Sequence, residues 1–374
     1  MKPRGMVARS VSDPLAFAQG DSNEKLISFN RGTMTHKFGI TYISFYPFDY
    51  NAFLSSSYDH TLKIYSSDSL TVSGSFELGS IVYAHAMSPV ASHLLVACAT
   101  QHPNVRLVDL RSGHDIQALA GHQSAVLALA WSPKNEHILA SGGVDGTVRL
   151  WDVRRSSPNL CLLDMEDFVG VVGHDGLGSG ASPRLRGKAH SSVVNGLSWT
   201  DNGNHIVTAG HDNRVRVWDA ATGANTLVSF GPTVKNTRLV NRSLLISPTS
   251  ALPPGKELLF YPNEQEILIF KLHEGKLVKR LKVSSPMSTS SRTGERNVRN
   301  STTGLAWRGP ADGIVSGHLD GQIRAWAPRT REDEDADADA DAEDSAYDGE
   351  EVRNKRKALD DIFRDLTRPK ITFT

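Results

Sequence analysis

Between about residue 36 and residue 330 the chain alternates apolar and polar positions in runs of four to eight residues, each ended by Pro, Gly, Asn or Asp. Alternation at period two places every second side chain on one face of an extended backbone. The runs therefore predict half-buried β-strands joined by tight turns, not helices. The pattern also repeats. A shift of 86 residues lays His36 on His122, ITYISFYP (40–47) on VLALAWSP (126–133), Asp59 on Asp145 and Tyr65 on Trp151. Half that shift lays NVRLVDLRSG (104–113) on TVRLWDVRRS (147–156). A fourth copy runs from Ala189-His190 through Asp212 to RVRVWDAATG (214–223), and the last clear one is SGHLDGQIRAW (316–326). A degraded copy, EQEILIFKLHEGK (264–276), lies between them. A unit recurring at a fixed period cannot bury its apolar face alone and must stack on its copies.

Four strands per unit at about 43 residues is the period of a WD-type β-propeller blade. The fold expected is all-β, with six blades readable near 36–78, 79–119, 120–163, 188–228, 229–280 and 300–330. In the repeat family that these units resemble, His, Ser or Thr, Asp and Trp form a buried hydrogen-bonded set. Here that maps onto His36 and Asp59, onto His122, Ser141, Asp145 and Trp151, and onto His190, Thr208, Asp212 and Trp218. Blade six keeps Ser316, Asp320 and Trp326 without an evident His. Such sets look like a catalytic Ser-His-Asp group, but they recur from blade to blade where an enzyme needs one site, so they are read as structural. The segment EKLISFN (24–30) takes the place of the outer strand that precedes each later repeat. It is expected to complete the last blade and so remove an exposed sheet edge.

Outside the repeats the composition changes. Residues 1–22 lack periodicity and are expected to be disordered, leaving 23–330 for the propeller. Residues 332–351 hold twelve Asp or Glu, an acidic, low-complexity run read as a solvated linker over 331–352. Residues 353–374 are basic: NKRK (354–357) reads equally as a nuclear import signal or as plain surface charge, and Leu359, Ile362, Phe363 and Leu366 fall on one face of a short helix stopped by Pro369. The formal net charge is zero, yet residues 1–331 carry 34 basic against 26 acidic side chains. That excess is compatible with lying near nucleic acid or an acidic protein surface and falls far short of a dedicated DNA binder. The two cysteines, Cys98 and Cys161, make neither a CxxC pair nor a disulfide framework. The Gly-rich insertion 164–187 lacks the Gly-Lys-Ser/Thr of a phosphate loop, and 284–301 has the composition of a loop. No metal site, cofactor or catalytic motif is expected.

Several segments carry a more specific likeness. TYISFYPFD (41–49), SSSYDHTLKIY (55–65), IVYAHAMSPVASHLLVACAT (81–100), LVDLRSG (107–113), LWDVRRSS (150–157) and TAGHDNRVRVWDAATGANTLVSFG (208–231) resemble the Cockayne syndrome group A family. YAHAMSP and GANTLV are not part of the repeat consensus, which gives the likeness its specificity. The resemblance implies a non-catalytic, nuclear substrate receptor of a cullin-4 RING ubiquitin ligase in transcription-coupled nucleotide excision repair. Its implied partners are the ligase's damaged-DNA-binding adaptor, a repair ATPase of the Cockayne syndrome group B type and stalled RNA polymerase II. Receptors of this class carry a 16-residue box ending in Trp-Asp-x-Arg, which Leu139–Arg154 matches. It nominates Trp151, Asp152 and Arg154 for adaptor docking, with Asp109 and Arg111 one blade earlier. Blade four ends in VWDAA, with Ala221 where the Arg would stand, so the repeat does not produce the Arg automatically. The family has seven blades behind a helix-loop-helix. Six repeats here mean either that the front lies outside this sequence or that the ring closes with six. The alternative is a WD-repeat scaffold for chromatin, signalling or RNA processing.

Overall fold

The computed structural model describes residues 17–20, 35–167, 187–253, 255–264, 266–282, 301–309, 313–319 and 321–328. All its regular elements are strands, β1 (Phe17–Gly20) through β23 (Ile323–Pro328). Two units are distinguished, one of residues 19–326 and one of residues 1–18 with 327–374. Of the second, only the ends of β1 and β23 fall among the described residues.

Six antiparallel sheets make up the propeller. Sheet one holds β2 (Ile40–Tyr46), β3 (Asp49–Ser57), β4 (Thr61–Ser66) and β5 (Val72–Glu77). Sheet two holds β6 (Val82–Met87), β7 (Leu95–Thr100), β8 (Val105–Asp109) and β9 (Asp115–Leu119). Sheet three holds β10 (Val126–Trp131), β11 (Ile138–Gly143), β12 (Val148–Asp152) and β13 (Asn159–Leu162). Sheet four has three strands, β14 (Val194–Trp199), β15 (His205–Gly210) and β16 (Arg214–Asp219). Sheet five holds β17 (Leu245–Ile246), β18 (Leu258–Pro262), β19 (Glu266–Lys271) and β20 (Leu277–Lys282). Sheet six has the order β1, β23, β22 (Gly313–His318), β21 (Thr302–Gly309).

Two expectations are corrected. The fourth strand of sheet four shrinks to a single bridge, Trp218 to Asn225, because Asn225 turns away to bond the 165–167 segment. Phe17–Gly20 lies beside β23 at the outer edge of sheet six, while the segment 24–30 expected there lies outside the described residues. The acidic run, the basic cluster, the amphipathic segment and most of both insertions also lie outside them.

Small and large side chains alternate along the strands, so successive sheets pack face to face. Ala97, Ala99, Val105, Leu107, Leu139 and Trp151 are buried in one cluster spanning sheets two and three; Ala140, Val148, Leu150, Val194, Ile206 and Trp218 continue it into sheet four. Innermost strands also bond across sheets. Trp131 Nε1 donates to the Ala86 carbonyl (3.0 Å) and Trp199 Nε1 to Ala130 (3.1 Å). The turn between β11 and β12 needs Gly146, whose φ is +78° and whose missing Cβ would lie 2.6 Å from the His190 carbonyl.

Candidate functional site

The repeated polar residues form one device. In sheet three Trp151 Nε1 donates to Ser141 Oγ (2.7 Å), and Ser141 Oγ lies 2.7 Å from His122 Nε2. With the serine oxygen accepting from Trp151, its own proton goes to Nε2, and His122 Nδ1–H then donates to Asp145 (3.1 Å). Sheet four repeats the relay through Trp218, Thr208, His190 and Asp212 at 2.9, 2.8 and 2.9 Å. Sheet one has His36 between Ser55 (2.6 Å) and Asp59 (2.9 Å), with Tyr65 at the Trp position. Burial alone would raise the pKa of Asp145. His122, the Gln123 amide and Thr147 more than reverse this and hold the carboxyl far below the usual range. The same balance, with His190 and Arg216 as partners, holds Asp212 down. The serines and threonines sit inside the sheets, where no substrate reaches them.

Sheet six carries a histidine that the repeat spacing does not reveal. His318 Nε2 lies 2.8 Å from Ser316 Oγ, which accepts from Trp326 Nε1 at 2.8 Å. It comes from β22 itself, not from the loop before the first strand. Asp320 lies outside the described residues. A second unforeseen histidine is His85, inside YAHAMSP, buried between Ser44 Oγ (2.8 Å) and Ser56 Oγ (3.1 Å). With no carboxylate beside it, burial pushes its pKa down to about 3.

The docking candidates lie on one rim, where each third strand turns into the fourth. Asp109 Oδ1 accepts the Arg111 amide (3.0 Å), Asp152 Oδ1 the Arg154 amide (3.1 Å) and Asp219 Oδ1 the Ala221 amide (2.8 Å). The aspartate thus builds the same turn in each sheet. Trp151 is fully buried and Asp152 nearly so, and Asp152 bonds the arginine beyond it. Arg154 Nε and Nη2 donate to Asp152 Oδ1 (3.1 Å) and Oδ2 (2.9 Å), while 58% of the arginine side chain stays exposed against 4% for Asp152. A buried carboxylate thus fixes an exposed guanidinium, leaving the Nη1 edge free to meet a carboxylate or carbonyl in the plane of the fork. Arg111 is exposed one sheet away. On the same rim the ends of first and second strands and the turns that join them expose Phe48, Tyr50 and Val90. A rim that exposes apolar side chains as well as arginines has the makeup of a protein interface.

Neither cysteine is an activated thiol. Cys98 is buried, and burial pushes the Cys161 thiol up to about 11. Among the described residues no group of three or more His, Cys, Asp or Glu is placed to hold a metal, and no helix is long and apolar enough to cross a membrane.

The family model for the WD domain, G-beta repeat, matches residues 29–66, 113–152 and 182–219. The WD repeat-containing protein ATCSA-1 of Arabidopsis thaliana is 30% identical over 250 residues, covering 52% of this chain and 56% of that protein. Radiation-sensitive protein 28 of Saccharomyces cerevisiae is 25% identical over 228 residues, covering 58% of this chain and 44% of its own. The ribosome biogenesis protein ytm1 of Neurospora crassa is 30% identical over 201 residues, covering 49% and 39%. The chain thus spans about half or less of the length of these relatives. Its three matched segments and six sheets make it a WD40-repeat β-propeller, a fold that typically serves as a scaffold.

Proposed function

We propose that this propeller is a non-catalytic receptor that docks a cullin-4 ubiquitin ligase to a nuclear transcription-repair complex, with the damaged-DNA-binding adaptor on the rim of Arg154 and Arg111. The observation that carries this reading is the pair of aspartate-built turns ending in exposed arginines on adjacent sheets, against Ala221 at the same point of the next. The similarity to ATCSA-1 and to a radiation-sensitive protein supports a repair setting. On this reading Arg154 offers its free edge to an adaptor carbonyl or carboxylate, and Phe48, Tyr50 and Val90 supply apolar contact. The remaining surface holds the repair ATPase or the stalled polymerase for ubiquitylation.

Co-purification with the adaptor checks it. Arg154→Ala and Arg111→Ala should each lower recovery about tenfold, the loss expected for a desolvated charge-assisted contact worth roughly 1.5–3 kcal/mol. Equal recovery by the parent protein and both variants would remove the docking role. A second reading, favoured by the similarity to a ribosome biogenesis protein, is a scaffold in ribosome assembly. It predicts co-sedimentation with preribosomal particles that is indifferent to both arginines.

A further inference from the structure

The rim opposite Arg154 carries a cavity of about 540 Å³. In an antiparallel sheet the turn between second and third strands lies at the other end from the turn between third and fourth. The lining residues Tyr58 and Leu319 belong to such turns, in sheets one and six. Residues 40–43 of β2, Ser301 with residues 302–305 of β21, residues 238 and 240–243 ahead of β17, and Pro262 of β18 make up the rest of the wall.

Its charge is one-sided. Arg238 and Arg242 line it, and no Asp or Glu does among the described residues. Arg242 is only 4% exposed. Its Nε donates to Asn236 Oδ1 (3.1 Å) and its Nη1 to the Pro262 carbonyl (3.2 Å), but its buried Nη2 has no partner. Thr302, 6% exposed and in the same wall, has a buried Oγ1 that is likewise unpartnered. Burial presses the Arg242 pKa downward, and the neighbouring Arg238 adds to this against the opposing pull of Tyr261 and Glu264. A buried guanidinium held solely by neutral acceptors is costly, and an anion that reached it would offset that cost. The opposite wall is apolar. Ile40 and Ile43 are exposed, as is Leu319.

We propose that this cavity binds an acidic peptide segment of a partner protein, with a Glu or Asp carboxylate on Arg242 and Thr302 and an adjacent apolar side chain against Ile40, Ile43 and Leu319. Arg242 Nη2 carries two unfilled N–H groups and Thr302 one unfilled hydroxyl, three donors that the two oxygens of a carboxylate can accept between them. A phosphate dianion would leave acceptors unmet. The half-exposed Arg238 adds a second positive charge that draws in the acidic segment. The site is separate from the adaptor rim and stands or falls without it.

The test uses the full-length protein and two pools of acetylated, amidated tripeptides with randomised flanks, one with Glu fixed at the centre and one with Gln. Affinity selection read by mass spectrometry should retain the Glu pool at least tenfold over the Gln pool, enriched in flanking Leu, Ile and Phe. Arg238→Gln and Thr302→Val, which leave the buried guanidinium in place, should each weaken the best Glu peptide three- to tenfold. Arg242→Gln should abolish its binding. Equal retention of the two pools, retention of neither, Glu binding unchanged in Arg238→Gln and Thr302→Val, or stronger retention of a phosphoserine-centred pool would overturn the proposal.

Discussion

Sheets three and five have the same four antiparallel strands, but opposite chemistry holds them together. In sheet three the centre is the relay from Trp151 through Ser141 and His122 to Asp145. In sheet five Phe270 stands where the Trp would be and Tyr261 where the Ser would be, both fully buried. Phe230 packs edge-on against Phe270 with ring centres 5.3 Å apart, and Tyr261 Oη donates to the Lys235 carbonyl at 3.1 Å. Both solutions fasten the segment ahead of the first strand to the second and third strands. The relay does it with four residue types at fixed places. The apolar version needs only volume and one phenol. The blade therefore requires a filled, tied-down centre, not a particular set of polar groups.

The largest expected effect separates the two by volume. Phe270→Ala should cost about 3–5 kcal/mol in urea unfolding at any pH from 5 to 9, the usual penalty for a buried aromatic lost to a cavity. A loss below about 1 kcal/mol would mean that sheet five is not packed around this ring. Asp145→Asn should cost about 2–3 kcal/mol at pH 7 by breaking the charged end of the relay. Here pH matters. The folded carboxyl titrates far below an unfolded aspartate, so its contribution is whole above about pH 4 and drains away as pH falls below that. The gap between variant and parent should close toward pH 3, and a constant gap would show that Asp145 acts by shape, not charge. His85 is a third arrangement, a buried neutral base among hydroxyls. Its folded pKa of about 3 lies below the unfolded value near 6.5. Stability should be full above pH 6.5 and fall by about 1.4 kcal/mol per unit below it, reaching about 2 kcal/mol by pH 5. His85→Gln should flatten that limb, and an unchanged slope would place the titrating group elsewhere.

The same contrast explains what the sequence discloses. Sheet three is legible because a relay can be built only from Trp, a hydroxyl, His and Asp at set spacings, and those residues recur. Sheet five reads as degraded because Phe270 and Tyr261 obey no motif, though they pack as fully. His318 escaped notice because it reaches Ser316 from two residues along its own strand, not across the 18 or 19 that separate the hydroxyl from His190 or His122. Of the rim that carries Arg154, the turn and its arginines are visible in Trp-Asp-x-Arg. The division of labour is not, since burial alone separates Asp152, the holder, from Arg154, the presenter. Arg242 gives no signal at all: its neighbours Asn236 and Pro262 come from the segment ahead of β17 and from β18, and its unfilled donor exists only once the sheets assemble.

The smallest effect is the mirror image of Asp145. Burial pushes the Tyr261 hydroxyl up to about 12, against the lowering pull of Arg242. An acid whose folded pKa is raised stabilises the fold below its unfolded value near 10 and loses that contribution as pH climbs toward 12. Tyr261→Phe should cost only about 1 kcal/mol at pH 7, the worth of one neutral hydrogen bond to the Lys235 carbonyl. Between pH 10 and 11 the parent should lose stability faster than the variant, by about 1 kcal/mol per unit, so the two curves should meet. Sheet three would then weaken in acid and sheet five in alkali within one domain. If Tyr261→Phe stayed parallel to the parent through pH 11, the phenol would be solvated in the native state and the apolar description of sheet five would fail at its one polar atom.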